Sequence, residues 1–228
     1  MSKKWETYRR NAEKLWDIYK KLEEITRSNQ TPTLLLHVCC APCSSYVLEY
    51  LSKFFKITLF FYNSNIAPKE EFDKRVDELR RFVQQFPLQN PVEICVGEYC
   101  PEEFLEMAKG LEQEPEGGSR CYRCYEQRLR KTAQLCREGA YDYFTTTLSI
   151  SPYKRADWLN EIGERLADEY GLTYLVSDFK KKNGYRRSIE LSREYQLYRQ
   201  DYCGCVYSKA ERDRSVQEKK KKLKRKRQ

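Results

Sequence analysis

The 228-residue chain has no apolar run approaching the roughly 20 residues that a membrane-crossing helix needs, so no membrane partner is expected. It shows no internal repeat at a solenoid period, which excludes a stacked-repeat architecture. Its first ten residues, MSKKWETYRR, are charged and lack the apolar stretch that export requires, so a reducing cytoplasmic setting is expected rather than a framework of structural disulfides. Histidine occurs once, as His37, and a core histidine bonded to backbone is its simplest reading, ahead of a ligand or an acid. Net positive charge is also scarce outside one segment. Of the net charge of +9, Lys219, Lys220, Lys221, Lys222, Lys224, Arg225, Lys226 and Arg227 supply eight, leaving +1 for everything else. The body is therefore nearly neutral, and residues 211–228 read as a disordered basic tail able to hold any polyanion.

Cysteine is what the chain has in excess. Ten are present, and seven fall into three short clusters: Cys39, Cys40 and Cys43; Cys121 and Cys124; Cys203 and Cys205. In a reducing compartment such clusters serve metals or electrons. Cys95, Cys100 and Cys136 stand alone and read as small core residues.

The hydrophobic pattern predicts an α/β fold. Residues 4–28 carry Trp5, Tyr8, Leu15, Trp16, Tyr19 and Leu22 at helical spacing, giving an amino-terminal helix within residues 1–30. Strands are expected at residues 33–39, 57–62, 92–96, 143–147 and 173–177, with helices at 44–54, 69–86, 101–109, 122–137 and 155–170. This β-α order over residues 31–210 predicts a doubly wound, mostly parallel sheet with helices on both faces and a helical C-terminal segment. Gly117 and Gly118 read as a flexible loop.

Open α/β sheets collect ligands at the carboxyl ends of their strands, and the first strand runs directly into HVCCAPC. Side chains alternate along a strand, so Cys39 and Cys40 converge only if the chain turns there; Pro42 favours such a turn. Cys121 and Cys124 are spaced to share one face at a helix start, where the helix dipole and the neighbouring Arg120 and Arg123 are expected to lower their thiol pKa values. A disulfide between Cys203 and Cys205 spans only Gly204; it is strained and easily reduced, which suits a redox role, with metal ligation as the rival use. A full α/β core needs no zinc staple, and thiols in excess of four point to iron-sulfur chemistry with a second redox element beside it.

Read together with FYNSNIAP (61–68), CYRCYEQR (121–128), FTTTLSISPYK (144–154) and DYCGCVYS (201–208), the three clusters resemble the epoxyqueuosine reductase QueH family over about residues 33–208. His37, Pro42, Arg128 and Tyr202 also fall where that family places those residue types. The resemblance implies two-electron removal of the epoxide oxygen from epoxyqueuosine at the wobble position of tRNA, with a 4Fe-4S cluster, no cobalamin and an external electron donor. It implies a fold similar to the adenine-nucleotide alpha-hydrolase (HUP-like) group, in which an SGGxDS phosphate loop follows the first strand. Here that loop reads CCAPCSS, and without its glycines the phosphate cradle is lost. That loss argues against ATP use and hence against a tRNA thiolation enzyme; a zinc-bound RNA-binding module is the remaining rival. Carried over, the family's roles make Cys39, Cys40, Cys121 and Cys124 the cluster ligands and Cys203 and Cys205 a redox-active pair. Cys43 is left for a second, mononuclear iron acting as a Lewis acid, and His37 or Tyr202 for the proton donor.

Overall fold

The structure, a computed structural model, describes residue 13 and residues 20–28 and 30–225, with side chains as far as residue 221. Residues 20–27 are helical (α1) and bury Leu22 and Ile25 in the core; Trp5, Tyr8, Leu15, Trp16 and Tyr19 of the expected stripe lie outside the described residues. Then follow β1 (Thr33–His37), α2 (Ala41–Leu51), β2 (Lys56–Phe61), α3 (Lys69–Gln85), β3 (Val92–Val96), α4 (Pro101–Ala108) and α5 (Ser119–Glu138). The chain continues through β4 (Tyr143–Thr146), a 3-10 turn (Thr147–Ile150), α6 (Ala156–Tyr170), α7 (Gly184–Glu194) and α8 (Val206–Arg225).

All four strands are parallel, in the order β3-β2-β1-β4. Period-2 alternation sends Leu34, Leu36, Ile57, Leu59 and Phe61 to one face, against Val47 and Leu48 of α2 and Phe72, Val76 and Leu79 of α3. Leu35, Phe60 and Phe144 go to the other, against Leu129 and Ala133 of α5 and Leu159 and Ile162 of α6. The expected doubly wound sheet is therefore present, and each fully buried leucine contributes about 2 kcal/mol of burial to it. β1 is central, and the chain leaves it toward β2 on one side and β4 on the other. Its carboxyl end is thus the topological switch point, where the thiol-rich turn emerges.

Three expectations need correction. The strand foreseen at 173–177 reduces to a single bridge, Phe144 with Tyr174. Beyond it side chains take over the backbone: Thr145 Oγ1 donates to Leu175 O at 2.7 Å, and the Asn160 amide bonds both Ser177 O and Ser177 N, at 3.1 and 3.0 Å. The basic tail is not disordered as far as Arg225 but continues α8. Its Lys, Arg and Glu residues are strong helix formers, and Lys209 pairs with Asp213 one turn on at 2.9 Å. The third concerns Gly117 and Gly118, which have a specific role at the start of α5.

Candidate metal and redox centre

At the end of β1, Val38 N makes a last ladder bond to Phe60 O at 3.0 Å before the chain turns. Cys40, in extended conformation, is the N-cap of α2, with Pro42 in the first turn, where its missing N–H is no loss. The turn brings Cys39 Sγ to 3.8 Å from Cys40 Sγ, and the sulfurs of Cys39, Cys40 and Cys43 all lie within 4.8 Å of one another. Three thiols this close cannot all ionise without a cation among them. Hydrogen bonds from Cys39 and Cys43, helped by the charge of Arg75, hold the Cys40 thiol well below its ordinary pKa, while the same contacts push Cys43 well above.

The other two clusters meet each other. Cys121 and Cys124, on the first turn of α5, line a narrow cavity with Cys203 and Cys205, and Arg120, Tyr125 and Arg128 line it too. Gly117, at φ +87°, turns its N–H onto Cys121 Sγ at 3.3 Å, and Gly118 is the N-cap of α5. The glycine pair thus shapes the thiol site, a role readable in hindsight from its place just ahead of CxxC. Cys205 Sγ accepts from Ser208 N at 3.3 Å. All ten cysteines are free thiols.

The Cys203–Cys205 turn is docked on the polar face of α3. Arg75 Nη1 donates to Cys203 O at 3.0 Å, and Ala67 N donates to Gly204 O at 3.0 Å. Gly204 sits at φ +124°, and a Cβ there would approach Ile66 Cγ1 to 2.9 Å, so glycine is required on both counts. Arg75 is buried and pairs with Glu71 at 2.7 Å. Tyr202 lies half-buried between the guanidiniums of Arg75 and Arg212, 5.6 and 5.4 Å from its ring centroid.

Burial raises the Cys121 thiol and pushes Cys124 up to about 12, against the charge of Arg128. The expected lowering by Arg120 and Arg123 is not found. Arg120 turns away to the carbonyls of Leu111 and Glu112 and over the ring of Tyr207, and Arg123 is exposed. The cations that do act on the thiols are Arg75, Arg128 and Lys154, while Arg120 acts on Cys205 rather than on Cys121 and Cys124. Arg128 acts on Cys124, Cys203 and Cys39, and Lys154 on Cys203, Cys39 and Cys43, so the two thiol groups share two positive charges. Of these, Arg128 was named from the sequence through the family resemblance, and Lys154 only as the last residue of the FTTTLSISPYK segment beyond β4. Arg75 was not singled out, because it lies on a helix face whose charges look solvated.

His37 is fully buried between β1 and its neighbours, with Nδ1 2.9 Å from Thr146 Oγ1 and Nε2 3.1 Å from Tyr62 O. Nε2 therefore carries the proton and donates to the carbonyl, as the core reading expects. Burial and the charge of Arg128 lower its pKa to about 3. Cys136 is buried, while Cys95 and Cys100 are half-buried.

The donor set suits a soft metal. Three sulfurs lie within 4.8 Å of one another at the end of β1, four more line the cavity of Cys121 and Cys203, and the two groups share the charges of Arg128 and Lys154. Arg128 Nη2 is buried at the cavity without a hydrogen-bond acceptor, the vacancy an anionic sulfide or thiolate would fill.

A doubly wound sheet carrying a ring of thiols and buried cations at its switch point defines a Rossmann-like protein built around a sulfur-ligand centre. Within that class the family is specific: residues 34–211 match the model of the epoxyqueuosine reductase QueH family, and the chain belongs to it. It is 50% identical over 179 residues to epoxyqueuosine reductase QueH of Streptococcus pyogenes serotype M1, spanning 78% of this chain and 70% of the relative. The protein of that name from Staphylococcus epidermidis is 44% identical over 193 residues, 83% of this chain and 81% of the relative. That of Thermotoga maritima is 36% identical over 186 residues, 79% and 92% of the two chains.

Proposed function

We propose that this chain reduces epoxyqueuosine to queuosine at the wobble position of tRNA, without cobalamin. The epoxide oxygen leaves as water, the two carbon–oxygen bonds break, a carbon–carbon double bond forms, and two electrons and two protons are consumed. In this reading Cys39, Cys40, Cys121 and Cys124 hold a 4Fe-4S cluster, and Cys43 contributes to a mononuclear iron beside it. Bound there, the cluster supplies single electrons and the iron a Lewis acid for the epoxide oxygen.

The chain's own residues supply the rest. Cys203 and Cys205 release two electrons and two protons on forming a disulfide, the number the reaction consumes, and an external electron donor restores the dithiol. Arg75, Arg128 and Lys154 offset the charge of the thiolates. Tyr202 offers a phenolic proton; burial and the charge of Glu71 hold its pKa above the ordinary tyrosine value, against the guanidiniums of Arg75 and Arg212 beside its ring, so it stays protonated as an acid must before it donates. His37, its Nε2 proton committed to Tyr62 O, holds the ends of the central strands in place.

The observation that supports this reading best is the gathering of seven thiols from three distant segments at the switch point of the fold. Iron and sulfide analysis of anaerobically purified protein, with conversion of epoxyqueuosine-containing tRNA, tests it. Cys121→Ala and Cys124→Ala are expected to lose iron while circular dichroism keeps the α/β signature, because these residues sit at a helix start outside the main core. Full iron in both variants removes the ligand assignment, and a colourless zinc protein without reductase activity removes the reading altogether.

A further inference from the structure

Tyr153 is 77% exposed, and among the described residues its ring makes no hydrogen bond or ring contact. It lies on the turn after β4 whose next residue, Lys154, directs its charge inward to Cys39, Cys43 and Cys203. That turn is pinned rather than loose. Lys180 Nζ donates to Ser149 O at 2.8 Å and to Lys154 O at 3.5 Å, and pairs with Asp178 at 3.0 Å. An aromatic ring is thus held in solvent by a fixed turn at the border of the thiol site, where the hydrophobic effect alone would fold it away.

The surface beside it is of the same character. Arg155 packs over Trp158 at 4.1 Å, and Trp158 meets Tyr122 edge to face with centroids 5.3 Å apart. Tyr122 follows Cys121 directly, so the strip runs back to the mouth of the thiol cavity, with Arg123 exposed next to it. Proteins that grip single-stranded RNA combine exposed rings, on which unstacked bases lie, with cations that follow the backbone.

We propose that this strip is a stacking platform for the tRNA anticodon loop, with Tyr153 taking the face of an unpaired base adjacent to the modified nucleotide. The inference rests on the reading of the chain as a tRNA-modifying reductase. An anticodon loop has what the strip selects for: unpaired bases that can leave their stack and a backbone turned outward. A ring fixed in advance costs little further ordering on binding. Duplex RNA offers neither free faces nor a groove such a ring can enter, and is not expected to use it.

Binding of the full-length protein to an anticodon stem-loop RNA, with blunt duplex RNA as comparison, tests the platform. Tyr153→Ala is expected to weaken stem-loop binding about tenfold, the loss of one stacked base. Tyr153→Phe is expected to bind as wild type, since the ring face is kept. The salt slope is expected to be the same for all three proteins, because stacking releases no counterions, and duplex binding to be unaffected. Alanine binding within twofold of wild type, phenylalanine binding as weakly as alanine, or an equal loss on duplex RNA overturns the platform. In any of these cases reduction of epoxyqueuosine-containing tRNA by the wild-type protein leaves the functional reading standing. Wild-type protein that neither binds the stem-loop nor reduces the tRNA overturns both.

Discussion

Arg75 reaches from α3 to the carbonyl of Cys203, Nη1 to O at 3.0 Å, so a helix on one face of the sheet fixes the position of a thiol turn 128 residues later in the chain. Its neighbours on that helix serve the same end. Glu78 Oε1 accepts from Tyr198 N at 2.6 Å, Glu71 accepts from Tyr198 Oη at 3.1 Å, and Arg81 donates to Tyr195 O at 3.1 Å. A row of side chains at helical spacing thereby holds the irregular segment 195–204, which has no regular backbone pairing of its own.

Replacing Arg75 by Met is expected to lower stability by about 3 kcal/mol, because Glu71 is left poorly solvated and unpaired. Urea denaturation measures this. A midpoint equal to that of wild type would mean that the contact is idle.

Acidification is expected to loosen the same dock. Hydrogen bonds from Arg81 and the Tyr198 amide hold Glu78 below its ordinary pKa of 4.5. A carboxylate depressed on folding stabilises fully above its unfolded pKa and loses that contribution as pH falls through the folded value. Glu78→Gln should therefore cost stability at neutral pH, and the gap to wild type should close progressively below pH 4.5. A gap constant from neutral pH to pH 3 would show that the carboxylate's charge has no part in it.

Cys203→Ser and Cys205→Ser are expected to keep stoichiometric iron but to lose multiple-turnover deoxygenation, since the dithiol that relays the electrons is gone. Iron analysis beside single- and multiple-turnover assays decides it. Because the two thiols share a cavity with Cys121 and Cys124, loss of iron in the serine variants would reassign them as metal ligands.

Removing residues 219–228 is expected to weaken tRNA binding mainly at low salt and to flatten the dependence of binding on salt, with turnover at saturating tRNA little changed. Eight of the chain's nine net positive charges go with that segment. An unchanged salt slope would assign the tail no share in RNA affinity.

The sheet was largely legible in the sequence because parallel strands buried on both faces are written as short apolar runs. β3 was placed to the residue at Val92–Val96, and β1 and β2 to within two residues at each end. The convergence of Cys39 and Cys40 was also foreseeable, from Pro42 at the end of a strand. Thr173–Ser177 misled because its composition suits a strand, while the bonds that draw it off the sheet come from Thr145 and Asn160, far away in sequence. Arg75 was invisible for a related reason. Glu71, Arg75, Glu78 and Arg81 repeat at the spacing of any solvated helix face, and only the arrival of the segment 195–204 makes that face an interface.

The thiols of the two neighbouring groups are contributed by residues 39–43 on one side and 121–124 with 203–205 on the other. During synthesis the ribosome therefore releases the first three of the seven donors long before the last. A nascent chain or truncated fragment ending before Cys203 has all four strands but only five of the seven sulfurs, and lacks the turn that lines the cavity. On the proposed ligand set, metal loading of the whole centre is a late event that reports on completion of the entire fold. Residues 195–205, docked last on α3 by side-chain hydrogen bonds together with the packing of Tyr195 on Phe82 and the burial of Leu197, are where a defect in assembly would first be felt.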